Sequence, residues 1–121
     1  MASKILETKA MAFALTCKKL KKYPSVVVGA EFSHFKRVDK SGPVSPSCLV
    51  KTLRNKLSNI GTLFTKVNGN IIGCCAEVNS ANQILIQRPY LKLTQIGFSK
   101  ALRPRTMQEI PKCKNCKLTF L

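Results

Sequence analysis

The segment Ser25-Val-Val-Val-Gly-Ala-Glu-Phe32, followed by Phe35-Lys-Arg-Val38, decides the fold class of this chain. The first run is rich in β-branched residues and too short for a typical helix, which predicts a buried strand. The second run is expected to pair with it in a hairpin that turns near Ser33-His34. This hairpin starts a β-sheet, around which the other segments are arranged.

Two helical patterns lie on either side of the hairpin along the chain. Residues 3–22 carry apolar side chains at helical spacing among Ala and Lys, with Ser3 as the predicted N-cap. Pro24 cannot continue that helix and is expected to end it. Leucines spaced along the segment from Ser47 to Gly61 predict a second helix, with Ser47 as its N-cap and Gly61 at its end.

The second half of the chain continues the alternation. A turn is expected at Asn68-Gly69-Asn70, followed by a helix over residues 74–86. Residues 93–102 predict a strand, and Arg103-Pro-Arg-Thr106 a basic loop. A short final helix is expected to open at the Cys-x-x-Cys segment that starts at Cys113.

This order of elements favours a compact α/β fold. Helices that alternate with strands bury their apolar faces against a sheet, so we expect a three-layer α/β sandwich around a small sheet. With 121 residues the chain predicts one domain, 1–121. Residues 1–22 would be its amphipathic N-terminal helix and residues 25–121 its core.

The charge balance is the composition feature that bears on function. The chain has 21 Lys and Arg against five acids, a net charge of +16. Such a surplus favours a polyanion as partner, nucleic acid before anionic lipid, although a merely solubilising surface is the alternative. No apolar run is long enough to span a membrane, which excludes an integral membrane protein.

The six cysteines allow several kinds of chemistry. They could form three disulfides in a secreted chain, but the N-terminal apolar stretch lacks a cleavage site and predicts a helix instead of a leader. Their clustering late in the chain suits a metal better than bridges. The residues are Cys17, Cys48, Cys74, Cys75, Cys113 and Cys116.

Two of the cysteine segments together fit a catalytic zinc site. A catalytic zinc takes three protein ligands and keeps one position open. Cys113 and Cys116 are one helical turn apart, and Cys75 would add a third thiolate from the start of another helix. Glu77 would lie near the metal without binding it, as a carboxylate that carries a proton from water to a leaving group.

These segments resemble the zinc-dependent deaminase superfamily. Its pattern is His-x-Glu or Cys-x-Glu followed by Pro-Cys-x-x-Cys, and this chain has Cys75-Ala-Glu77 and Pro111-Lys-Cys-Lys-Asn-Cys116. The surrounding sequence is most similar to the bacterial polymorphic-toxin branch, in which Cys replaces the His. The resemblance covers roughly residues 25–121 and implies a cytidine-deaminase-like fold.

The resemblance also implies a role for each matched residue. Cys75, Cys113 and Cys116 would hold Zn²⁺, with Cys75 preferred to Cys74 because of its offset from Glu77. Glu77 would be the catalytic proton shuttle. The reaction would replace the amine at C4 of cytosine or C6 of adenine with oxygen from water and release ammonia, as in a hydrolase acting on the C–N bond of an amidine.

The chain departs from the family pattern in two places. Lys112 stands between Pro111 and Cys113, and only five residues follow Cys116, so we expect a smaller sheet, truncated after the Cys-x-x-Cys helix. Near the proposed zinc loop, four basic residues are candidates for contact with nucleic-acid phosphates or, alternatively, for ordering the loop. They are Arg103, Arg105, Lys112 and Lys114.

The sequence therefore predicts deamination of a base in nucleic acid, and the resemblance favours cytosine in DNA. The toxin branch further implies an effector domain, secreted from the producer and active in the cytoplasm of a target cell, with a cognate immunity protein as a possible partner and no membrane partner. Two alternatives remain open. One is a non-catalytic nucleic-acid-binding module with a structural zinc and a fourth ligand such as Cys74 or Cys48. The other is a deaminase of free nucleosides.

Overall fold

A computed structural model describes residues 3–112 and 114–120 of the chain. In this part the fold is mixed α/β, with helices at both ends and short strands between them. The elements, in chain order, are α1 (Lys4–Lys19), β1 (Val27–Phe32), β2 (Phe35–Lys40), α2 (Lys51–Ser58), β3 (Lys66–Val67), β4 (Asn70–Ile71), α3 (Ala76–Gln87), β5 (Gly97–Phe98), β6 (Ala101–Arg103), β7 (Gln108–Ile110) and α4 (Lys114–Phe120).

The main sheet is small and built around β1. Its strand order is β2-β1-β6-β7, and β5 pairs with β1 beside β6. Each of these pairs is antiparallel, and β3 and β4 form a separate two-stranded hairpin. Strand β2 is therefore an edge of the main sheet.

Helices cover both faces of this sheet. Val27 of β1 packs with Ala14 of α1, whereas the next residue, Val28, packs with Ala76 of α3. Successive side chains of a strand point to opposite faces, so α1 and α3 lie on opposite sides of β1. This arrangement agrees with the expected covering of a small sheet by helices.

The largest part of the core lies on the α3 side of the sheet. There α2 and α4 complete the packing around α3 with buried side chains. Its largest contributors include Leu53, Leu57, Ile84, Leu85 and Phe120.

The N-terminal helix is confirmed, but it ends earlier than predicted. Ser3 caps it by accepting a hydrogen bond from the Leu6 N–H at 3.2 Å. The chain leaves the helix at Lys21, whose φ is +56°, so the helix stops at Lys19 before Pro24 is reached. The left-handed residue, and not the proline, terminates the element.

The second helix is shorter than predicted at both ends, since it ends at Ser58 with Asn59 as its C-cap and not at Gly61. Ser47 is not its N-cap, because Pro46–Cys48 forms a separate 3₁₀ turn and the chain is extended at Leu49 and Val50. Val50 occupies the N-cap position, and its N–H donates to the side-chain oxygen of Asn82 at 2.9 Å. A residue from α3 thus helps to fix where α2 begins.

The strand predicted over 93–102 is wrong as a continuous element. Leu93–Gln95 forms a 3₁₀ turn, in which the Gln95 side chain accepts the Lys92 N–H at 2.8 Å. Further on, the Ser99 hydroxyl accepts the Gly29 N–H at 2.7 Å, and this contact interrupts the regular pairing with β1 at the residues between β5 and β6. Both breaks arise from side-chain to backbone hydrogen bonds.

The remaining predicted elements are present. The first hairpin turns at Ser33-His34 and extends to Lys40. The third helix starts at Ala76, and the short final helix follows position 113, which itself lies outside the described residues. Of the described helices, none combines the length and apolarity needed to cross a bilayer.

Candidate active site

The start of α3 carries the first predicted motif. Gly73, with φ +89°, lets the chain turn from the β3–β4 hairpin toward the helix, and Cys75 is the N-cap residue. Glu77 lies in the first turn of α3 and is only 6% exposed. A carboxylate at this end of a helix is favoured by the helix dipole.

Hydrogen bonds fasten this end of α3 to the loop after β2. The buried Asn79 side chain donates to the backbone oxygens of Lys40 and Gly42, at 2.8 and 3.0 Å. In return, the Gly42 N–H donates to the Cys74 oxygen at 2.8 Å. The motif residues therefore stand on a rigid helix whose first turn is anchored to the sheet.

A cavity of about 380 Å³ opens beside this helix start. Cys74 and Cys75, directly before α3, and Glu77 in its first turn line the cavity, and Pro111, from the second predicted motif, lines it as well. The volume falls within the range of small-molecule sites, about 300–1,000 Å³. The cavity thus brings the beginning of the second motif next to the first.

Three other parts of the fold complete the cavity wall. The β3–β4 hairpin contributes Lys66 and Asn70, the segment before β1 contributes Ser25, and the loop after β2 contributes Ser41. These polar groups line a space whose remaining surface is mainly apolar side chains and backbone, such as Ile110. Such a mixture orients a small ligand through a few hydrogen bonds.

The second motif is tied to the cavity wall through Asn115. This side chain is 2% exposed and donates to the Val67 oxygen at 2.8 Å, while it accepts from the Asn68 amide at 3.0 Å. Because Asn115 lies between the two cysteines of the Cys-x-x-Cys segment, it joins that segment to the β3–β4 hairpin.

Cys116 is 1% exposed and belongs to the large core, against which Cys75 also packs. The predicted ligand Cys113 lies outside the described residues. Over residues 3–112 and 114–120, no cluster of three His, Cys, Asp or Glu side chains has a geometry suited to a metal.

The other three cysteines differ in burial and location. Cys17 is partly buried and Cys48 is exposed, both as free thiols. Cys74 is a partly buried free thiol on the cavity wall, and burial raises the pKa of its thiol. A thiol with a raised pKa stays protonated at neutral pH in the absence of a metal.

Four of the five acids have structural partners away from the cavity. Glu31 accepts from Ser3 at the start of α1, and Glu7 accepts the Lys100 N–H at 2.7 Å. Asp39 accepts from Gln83 at 2.6 Å, and Glu109 forms an ion pair with Lys100. Glu77 is therefore the acid that this strongly basic chain places on the cavity wall.

The four basic residues predicted near the zinc loop lie outside the cavity lining. Arg103 and Lys114 are exposed. The Arg105 guanidinium lies 4.4 Å from the centre of the Tyr23 ring, and the Lys112 ammonium 4.7 Å from that of Phe98. Lys112 thus packs on an aromatic ring directly before the Cys-x-x-Cys segment.

The residues whose roles depend on tertiary docking could not be predicted from the sequence. Lys66 on the cavity wall and the Asn79 and Asn115 bridges carry no local motif. The only available signal was the position of Asn115 inside the Cys-x-x-Cys segment.

No protein-family model matches this chain, and no curated protein or solved structure matches it either.

Proposed function

We propose that this protein is a zinc-dependent deaminase with a cytidine-deaminase-like fold that acts on a base in nucleic acid. Cytosine in DNA is the favoured substrate. The observation that carries the proposal is that Cys75, Glu77 and Pro111 line one cavity. These residues belong to two motifs that are 34 positions apart, counting from Glu77 to Pro111. Their convergence is what the deaminase pattern requires.

The chemistry of the donor set fits zinc. Cys75 stands at the start of α3, and Cys116 is buried in the core against which Cys75 packs. The resemblance adds Cys113, which completes three thiolate donors, the soft ligands that zinc accepts. When bound there, zinc would supply the acidity that makes water a nucleophile at neutral pH.

Glu77 is the residue assigned to proton transfer. Its carboxylate would accept the proton lost by the attacking water and deliver it to the departing amine, so that ammonia leaves and a carbonyl remains. Because Glu77 is nearly excluded from solvent and fixed in a helix, its carboxylate is held at one place on the wall. That rigidity supports transfer between two defined atoms.

The cavity wall supplies groups that can orient a base. Asn70 carries an amide that can donate and accept, and Ser25 and Ser41 carry hydroxyls. Lys66 places a cation at the same wall. A base extruded from its stack and linked to a phosphate presents hydrogen-bonding edges and negative charge to such groups. The net charge of +16 supports a polyanionic substrate over a free nucleoside.

The test measures uracil and inosine formed from single-stranded DNA, double-stranded DNA, RNA and free nucleosides. We expect Glu77→Gln to lower the rate by about 100-fold or more, since general acid–base catalysis contributes that much. Glu109→Gln, which removes an exposed acid, is the matched control and should keep the wild-type rate. The absence of product from every substrate, with zinc present in the purified protein, would refute the proposal.

A structural zinc in a non-catalytic binding module is the second candidate, because Cys74 lines the cavity beside Cys75 and offers a fourth thiol. In that case Cys74→Ser would lower the zinc content and Glu77→Gln would change nothing. If the protein is the proposed deaminase, Cys74→Ser should retain both zinc and activity. Product formed from free cytidine and from no polynucleotide would instead indicate a free-nucleoside deaminase.

A further inference from the structure

A pair of arginines shares one aromatic ring at the start of the edge strand β2. The Arg37 guanidinium lies 4.2 Å from the centre of the Phe35 ring, and that of Arg88 lies 5.3 Å from it. Both distances are within the range of cation–π contacts, about 6 Å. We call Phe35, Arg37 and Arg88 the arginine cluster.

Strand register explains how the cluster assembles. Phe35 and Arg37 are two residues apart on β2 and so point to the same face. Arg88 follows the last residue of α3, the helix that packs on that face. The next residue of β2 on that face, Asp39, binds the Gln83 side chain of α3. The cluster therefore sits where the end of α3 meets the beginning of β2.

The two guanidiniums keep most of their donors available. Each uses one terminal nitrogen on the backbone oxygen of the preceding residue, at 2.7 Å for Arg37 and 3.0 Å for Arg88. In the part of the chain that the structure describes, neither forms an ion pair with a carboxylate. Two oriented guanidiniums without acidic partners form a site for an oxyanion, and their planar forks match phosphate.

The arginine cluster and the cavity lie at opposite ends of the same strand. Strand β2 begins at Phe35 and ends at Lys40, and the next residue, Ser41, lines the cavity. Six residue steps of extended chain span about 20 Å. Lys40, on the opposite face of β2, is exposed at the cavity end, so cations stand at both ends of this edge strand.

We propose that the arginine cluster binds backbone phosphates of a single-stranded nucleic acid that runs along β2, several nucleotides away from the base in the cavity. The position of that base rests on the proposed function, whereas the phosphate contact does not. Tyr90, two residues after Arg88, is 75% exposed and offers a ring on which a base can stack. Paired arginine forks, with an exposed ring two residues further along the chain, favour nucleic acid over a lipid surface.

The test compares strand binding by two double variants in a Glu77→Gln background, so that turnover plays no part. Arg37→Gln/Arg88→Gln removes the cluster, and Lys51→Gln/Lys56→Gln removes two exposed charges from α2 as the matched control. Binding of an oligothymidylate of about 12 nucleotides and of a dinucleotide is followed by fluorescence anisotropy and competition over a range of salt concentrations.

We expect the arginine variant to weaken binding of the long strand by about tenfold or more. Its slope of log K against log salt should decrease by about 1.4, since each phosphate contact with a single strand contributes about 0.7. A dinucleotide is too short to reach both ends of β2, so the arginine variant should weaken its binding by less than it weakens binding of the long strand. Arg37→Lys/Arg88→Lys keeps the charge without the fork and should restore only part of the affinity.

Equal losses in the arginine and control variants would overturn the proposal, because charge alone would then explain binding. If the arginine substitutions weakened binding to phosphatidylserine vesicles but left oligonucleotide binding unchanged, the proposal would be overturned in favour of a membrane surface. A zinc-containing protein that forms neither uracil nor inosine but shows the predicted binding pattern would refute the proposed function and leave the phosphate site standing.

Discussion

Asn115 illustrates how one side chain can position a candidate site. Its amide group binds the backbone and side chains of the β3–β4 hairpin, and the hairpin forms one wall of the cavity. The neighbouring Cys116 is buried beside it in the core. The same residue thus joins the segment of a proposed metal ligand, Cys116, to the hairpin wall of the cavity.

We expect Asn115→Ala to lower the free energy of unfolding by about 2 kcal/mol, because it leaves buried polar groups of the hairpin without partners. Denaturant unfolding measures the loss. Asn55→Ala, on the exposed face of α2, is the control and should be close to neutral. An unfolding free energy for Asn115→Ala within 0.5 kcal/mol of wild type, about the surface-substitution range, would contradict this role.

At this scale the sequence predicts cavity-lining residues only where a local motif marks them. Cys75 and Glu77 could be singled out because the spacing of their types has a chemical meaning, and the structure places both on a cavity. Lys66 and Asn115 could not be found, because their neighbours are known only after the hairpin and α4 have docked. The contact of Lys112 with Phe98 could not be predicted from the sequence for the same reason.

Helix α1 and strand β1 approach each other closely at Gly29. A Cβ atom at this position would lie 2.8 Å from Leu6 Cδ1 and 3.3 Å from the Ser99 hydroxyl. Leu6 is completely buried, and Ser99 is bound to Gly29. The absence of a side chain at Gly29 therefore allows α1 to lie against the sheet.

We expect Gly29→Ala to lower the free energy of unfolding by about 1–3 kcal/mol, as overpacking of a tight core does. Gly97→Ala is a matched control on the neighbouring strand β5, since its Cβ would meet Glu31 Cγ at an ordinary 3.7 Å. Thermal and denaturant unfolding of both variants provide the comparison. Equal stabilities for the two variants would show that Leu6 moves aside without cost.

Local patterns predicted elements well where local forces decide them. The first hairpin and the Ser3 cap follow from side-chain types that are adjacent in the chain, and both are present. The strand expected over 93–102 failed because Ser99 bonds to Gly29, seventy positions away. The start of α2 was misplaced because Asn82 of another helix holds Val50.

Over the whole molecule, the proposed zinc site would join α3 to α4. Removal of zinc by a chelator should therefore lower the Tm by more than about 5 °C, because a tightly bound ligand stabilises the folded state by several kcal/mol. Differential scanning fluorimetry with metal analysis measures the effect. Cys48→Ser, at an exposed thiol, should respond like the wild type. Purified protein without zinc, or a Tm that chelation leaves unchanged, would contradict the site.

The cavity wall is assembled from segments that are distant in the chain, from Ser25 to Pro111, and Asn115 then locks the β3–β4 hairpin. Contacts of such long range form late, after the loops between them have closed. A nascent chain therefore has a complete cavity wall only once residues through Asn115 have left the ribosome and α4 has docked on the β3–β4 hairpin. A ligand that needs the whole wall would bind only after this step.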